Sequence, residues 1–143
     1  MAVFVEVLKK ELEKKGNLND ETRAIDLTDQ DIKRIINDFP KAIELSIKEG
    51  YDGIEMHGAN NFFIQRFYSG YYNKRSDEWG GSLDKRMRFP LEVVDACSKI
   101  RDKYTKSEFI IGYRLSPEEP FDDGITMTET LALVRALVKK PIQ

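Results

Sequence analysis

Cysteine and histidine each occur once in this chain of 143 residues, as Cys97 and His57. A lone cysteine cannot close an internal disulfide, which points to a reducing compartment. A lone histidine with no local cluster of ligands argues against a metal centre. Neither sign of charge prevails, since 23 Lys and Arg stand against 25 Asp and Glu for a formal charge of −2. No long block of one sign interrupts that balance, so the electrostatic footprint of a nucleic-acid binder is missing. Long hydrophobic runs are missing too, and the opening MAVFVEVLKKELEKKG is too short in apolar residues for a signal peptide and too charged for a membrane span. The expectation is a cytoplasmic chain without nucleic-acid or membrane partners. Cys97 lies within an apolar helical pattern and reads as a packing group rather than a reactive thiol.

What is present is a 41% hydrophobic content in a length suited to one domain. Phe4, Leu8 and Leu12 recur at helical spacing ahead of Gly16, which predicts a short amphipathic helix over Val3 to Lys15, followed by a polar connector at 17–27. Thr28 is the N-cap of a second helix, with Ile32, Ile35, Ile36, Phe39, Ile43 and Ile47 on one face and a local kink expected where Pro40 crowds the preceding turn. Gly50 ends it, and Ile54 to Met56 form a short strand that delivers His57. A third major helix starts at Ser82 or Asp84 and carries Leu83, Met87, Leu91, Val94 and Ile100, with Pro90 as a second point of strain. Phe109 to Leu115 is a mostly apolar run, as expected of a strand covered on both faces. Thr126 to Glu129 is a capping box opening a last helix.

The stretch Gly50 to Arg75, GYDGIEMHGANNFFIQRFYSGYYNKR, is the richest in chemistry. His57 stands where a strand gives way to a glycine-containing turn, with Asn60 three residues on, and that is where α/β proteins place binding groups. The aromatic segment from Asn60 to Gly81 is too long for a passive connector and predicts a functional loop with a short helix over Phe62–Phe67.

Strands alternating with helices give the rhythm of a parallel sheet. Two or three strands neither close a barrel nor fill an open doubly wound sheet, and an eight-stranded α/β barrel needs about 250 residues. The fold expected is therefore α/β, a fragment of a TIM (β/α)8 barrel with about two to three β/α units and parallel strands. Residues 1–27 form an N-terminal helix and loop, and residues 28–143 the partial barrel.

Three motifs in order, DGIEMHGANNFFIQRFYS, NKRSDEWGGSLDKRMRFPLEVVDA and IIGYRLSPEE, closely resemble the middle of the Old Yellow Enzyme family of FMN-containing, NAD(P)H-dependent ene-reductases. The resemblance runs from about Thr28 to Glu119 and implies the fourth and fifth β/α units of the family's barrel. It implies FMN as cofactor, NADH or NADPH as reductant and a small-molecule acceptor such as an activated alkene. His57 and Asn60 match the His-x-x-Asn pair that donates hydrogen bonds to the acceptor oxygen, and two such donors stabilise the enolate-like charge that develops during hydride transfer. Arg114, with His57, is implied as a cofactor contact, its fixed charge favouring the anionic reduced flavin.

Two positions depart from the family pattern. Phe62 stands where many members carry the tyrosine that protonates the substrate, and a phenyl ring has no proton to give. Asn61 replaces a common glycine. The RSDEWGGS loop, Arg75 to Ser82, reads as architectural, with Trp79 as a packing surface.

Alternatives stand beside this reading. In one, the expectation is a non-catalytic remnant of a truncated or split gene that folds poorly alone or only beside a partner supplying the missing strands, or that self-associates. In a weaker alternative Glu55 and His57, which alternate onto one strand face, ligate a metal. Arg114 could equally be a strand arginine paired with a carboxylate.

Overall fold

The computed structural model describes residues 27–105, 108–140 and 142. The helix expected over Val3 to Lys15 and the connector up to residue 26 lie outside the described residues. The described elements are α1 (Asp29–Lys48), β1 (Gly53–Gly58), α2 (Phe63–Tyr68), α3 (Leu83–Thr105), β2 (Ile110–Leu115) and α4 (Met127–Leu137).

Local sequence signals set the element ends. Thr28 caps α1 through a reciprocal box with Asp31, and Thr126 caps α4 through the same device with Glu129. Helix α1 runs unbroken through Pro40 and closes at Gly50, whose φ of +80° is open to glycine at no steric cost. Strand β1 is longer than the Ile54–Met56 run and includes His57 and Gly58. The short aromatic helix is present as α2 and begins at Phe63, one residue later than expected.

The sheet is a parallel pair in which Gly53 faces Ile110, Met56 faces Tyr113 and His57 faces Arg114. One face, with Met56 and Ile111, is buried under the helices. The other carries Glu55, His57, Gly112 and Arg114 and is open, and Ile110 at its start is 47% exposed. The expectation that Phe109 to Leu115 is covered on both faces is thus corrected: among the described residues only one face has a cover. A parallel pair needs further layers to bury its second side.

The core joins α1, α3 and the aromatic segment. Phe67 stacks on Phe89 at 4.1 Å between centroids, and Phe63 and Phe39 meet Phe89 edge-on at 5.5 and 6.4 Å. Cys97 is buried in this cluster, and desolvation pushes its thiol up to about 12.

The 73–81 loop is locked from several sides. Buried Asn73 donates from Nδ2 to the carbonyls of Phe67 and Trp79 and accepts from the Arg75 N–H. Trp79 is fully buried, donates from Nε1 to Asp29 Oδ1 at 2.8 Å, and lies under the Arg88 guanidinium at 4.5 Å. Arg75 reaches the Leu27 carbonyl and pairs with Asp77. The loop works as a brace between α1 and α3, the architectural role its glycines and tryptophan suggest.

Candidate functional site

The C-terminal ends of the two parallel strands assemble the site. Residues paired across a parallel ladder project from the same side, so the pairing of His57 with Arg114 sends both toward the open face. Glu55 leaves from that face as well, two residues before His57, and its carboxylate accepts from Arg114 Nη2 at 2.8 Å. Both groups are about half exposed, so the pair contributes orientation more than stability. The carboxylate-paired arginine weighed from sequence is what the structure contains. Glu55, the second ligand of the metal alternative, is committed to Arg114.

Immediately after β1 the chain makes a tight reversal. Asn60 and Asn61 take φ of +54° and +58°, left-handed conformations that asparagine tolerates better than most residues. The Asn60 N–H donates to Ser116 Oγ at 3.0 Å, which ties the turn after β1 to the loop after β2. The Asn60 side chain is exposed and makes no hydrogen bond among the described residues. His57 Nδ1 is buried and likewise has no partner. A buried polar nitrogen without a partner is costly, and the same holds for Tyr68 Oη and Ser98 Oγ among the described residues. The Phe62 ring lies 4.6 Å from the imidazole and is 54% exposed. His57, Asn60 and Phe62 are thus one local unit, and Arg114 joins it across the ladder.

Beneath the unit, Gly58 is required by close packing, because a Cβ there would collide with the Tyr113 ring. Desolvation raises the Tyr113 phenol above its ordinary value, with the nearby Tyr68 adding to the shift. Tyr113 belongs to the alternate, helix-facing register and does not replace the tyrosine missing at position 62.

Sequence reasoning overlooked a set of supporting residues. Gln65 accepts from the Asn61 N–H at 2.9 Å and donates to Asn61 Oδ1 and Glu119 Oε1. Asn and Gln four apart at a helix start are a legible pair, whereas Glu119 lies 54 positions from Gln65 and carried no signal beyond its turn-rich loop.

A family model described as NADH:flavin oxidoreductase / NADH oxidase matches residues 6–143. The chain belongs to that family. It is an FMN-dependent oxidoreductase family, with NAD(P)H as its other cofactor. Among curated relatives, the probable NADH-dependent flavin oxidoreductase YqiG of Bacillus subtilis is 48% identical over 116 residues, covering 81% of this chain and 31% of the relative. The 12-oxophytodienoate reductase 2 of Arabidopsis thaliana is 40% identical over 108 residues, covering 75% of this chain and 28% of the relative. Among solved structures, the Old Yellow Enzyme homologue of Zymomonas mobilis superposes with a TM-score of 0.67 at 26% identity, over 81% of this chain and 32% of that one. The chain spans less than a third of the length of these curated relatives. The solved relatives are TIM-barrel proteins, and the described residues here form an α/β piece with parallel strands rather than a closed barrel. No helix among the described residues is long and apolar enough to cross a membrane.

Proposed function

We propose that this chain contributes the acceptor-binding part of an FMN-dependent NAD(P)H oxidoreductase of Old Yellow Enzyme type, which reduces activated alkenes or similar small molecules in the cytoplasm. The observation that carries this reading is the pairing of His57 with Arg114 on the open face at the C-terminal ends of β1 and β2, with Asn60 exposed in the turn that follows β1. The residues fit the cofactor in kind. The His57 imidazole and the exposed Asn60 amide both carry hydrogen-bonding groups without a partner among the described residues, and Arg114 stands across the ladder from His57, paired with Glu55.

Bound FMN would supply a hydride after reduction by NAD(P)H, with His57 and Arg114 as its contacts in this chain. His57 and Asn60 hold the acceptor oxygen and stabilise the negative charge that grows on it as the double bond is reduced. Two donors preset by the strand end and the turn avoid reorganisation at the moment of reaction. Arg114, oriented by Glu55, would favour negative charge on bound flavin. Phe62 shields the imidazole on one side and offers no proton, so protonation of the carbon centre falls to solvent or to a group outside these residues.

In the full-length barrel, His57→Ala and Asn60→Ala should slow acceptor reduction and weaken acceptor binding, while reduction of the flavin by NAD(P)H persists. Unchanged acceptor reduction in both variants would overturn the proposal.

A second reading is favoured by the open sheet face and the exposed Ile110: a chain that is inactive until further strands cover it, supplied by another polypeptide or by self-association. The visible spectrum of the purified 143-residue chain separates the two. A stoichiometric yellow complex supports the first reading, and a colourless protein that turns yellow only when complementing strands are added supports the second.

A further inference from the structure

Glu119 lies in the loop after β2, and its carboxylate joins that loop to α2, the helix that follows the turn after β1. Oε1 accepts from Gln65 Nε2 at 2.6 Å, and Oε2 accepts from Ser69 Oγ at 2.5 Å and from the Ile125 N–H at 2.9 Å. Gln65 and Ser69 are buried, at 2% and 0% exposure. Gln65 then grips Asn61 by both ends of its amide, accepting from the Asn61 N–H and donating to Asn61 Oδ1. Arg66 Nε adds a bond to the Asn61 carbonyl at 2.7 Å. The result is a relay from a carboxylate, through one buried amide, to the left-handed Asn60–Asn61 turn, directly after which Phe62 meets His57.

Scaffolding alone does not account for this arrangement. Helix α2 is already held by Phe67 in the core and by Asn73 on the Phe67 carbonyl. The turn itself, where two successive non-glycine residues adopt a conformation L side chains rarely take, also has the Asn60 N–H on Ser116 Oγ, Arg66 Nε on the Asn61 carbonyl and the Phe62 N–H on the Ala59 carbonyl, and the relay adds the hold on the Asn61 N–H and side chain. We propose that Glu119 is a positioning residue, acting through Gln65 to fix the Asn60–Asn61 turn and thereby the aim of the His57 and Asn60 donors. The inference rests on the reading of those two side chains as acceptor donors.

The polarity of the relay gives its test. In Glu119→Gln an NH2 group faces another donor, and in Gln65→Glu two carboxylates face each other. The double variant Gln65→Glu with Glu119→Gln exchanges donor and acceptor, so that the carboxylate at 65 receives the Asn61 N–H, the new amide and, once the Asn61 amide turns over, its Nδ2, while the oxygen at 119 still serves Ser69 and Ile125. Amide hydrogen exchange in the full chain, set against global stability from urea unfolding, reads the turn directly. Each single variant should speed exchange at Asn60 and Asn61 by about tenfold or more beyond the global change, as befits loss of a charge-assisted bond, and the double variant should recover most of it. Exchange that merely follows global stability, or a double variant as fast as either single, would overturn the proposal. Should a single variant fail to fold, Glu119→Asp retains the charge, retracts it by one methylene and should loosen the same two amides. In the FMN-loaded full-length enzyme the single variants should raise KM for the acceptor and leave flavin reduction by NADH unchanged. If exchange behaves as expected and the unsubstituted enzyme reduces no acceptor, the positioning of the turn is supported and the functional reading fails.

Discussion

His57 and Arg114 are direct partners across the β1–β2 ladder, so an imidazole and a guanidinium leave the same open face of a two-stranded sheet. Their juxtaposition depends on register. A slip of one residue would turn one of the two toward the helices and dissolve the site, and the buried alternation of Met56 and Tyr113 on the opposite side guards against it.

Phe62→Tyr is expected to accelerate alkene reduction in the completed barrel by about a hundredfold, the usual scale of a well-placed general acid. The exposed ring has room for a hydroxyl beside His57. Stopped-flow spectroscopy should show the gain in the oxidative half-reaction alone, with flavin reduction by NAD(P)H nearly unchanged. A silent variant with the hydroxyl in place would refute the role of this position.

Arg86→Leu should destabilise the chain by about 3 kcal/mol or more, the loss typical when one member of a buried ion pair is removed. Buried Arg86 pairs with Glu129 at the start of α4 and donates to the carbonyls of Tyr68 and Gly81, joining three segments. The measurement is urea unfolding followed by far-UV circular dichroism.

Alkaline pH should weaken the fold before it reaches the lysines. The Cys97 thiol titrates near 9.0 when free and is pushed up to about 12 by burial. Between those values the unfolded chain binds fewer protons than the folded one, so stability is fully present below pH 9 and falls as pH rises toward 12. Tyr68 and Tyr113, both raised above 10.0, act in the same direction from that pH upward. A Cys97→Ser variant should flatten the first part of that decline in urea titrations between pH 8 and pH 10. An unaltered slope would count against the assignment.

Gly58→Ala should cost roughly 1–3 kcal/mol through overpacking, because the added methyl meets the Tyr113 ring. Pairing it with Tyr113→Leu should recover part of the loss, measured as the coupling in a double-mutant cycle of unfolding free energies.

Much of this was legible in the chain. The isoleucine spacing ahead of Gly50, the Thr28 cap, the Thr126 capping box and the strand that carries His57 are local signals, and each appears where its residues put it, with Asp31 completing a box at Thr28 that the sequence had shown only as a cap. The open face was not legible, because the apolar run IIGYRL carries no mark of which neighbours will cover it. The Arg114–Glu55 pair was weighed only as a class, since strand register decides which carboxylate is reached. The tie from Glu119 to Gln65 was invisible for a related reason: both are ordinary polar residues, and only the closure of β1 against β2 brings their loops together.

Trp79, fully buried in the 73–81 brace, is also the chain's only indole. Its emission therefore reports a single place: a dry pocket with an arginine on one face and a carboxylate on the pyrrole nitrogen. Such a fluorophore emits toward the blue and is shielded from iodide and acrylamide, and it shifts red only when α1 parts from the loop. Ligands arriving at His57 should leave the colour of this emission unchanged, so the chain carries a native optical gauge of its scaffold that is separate from its site.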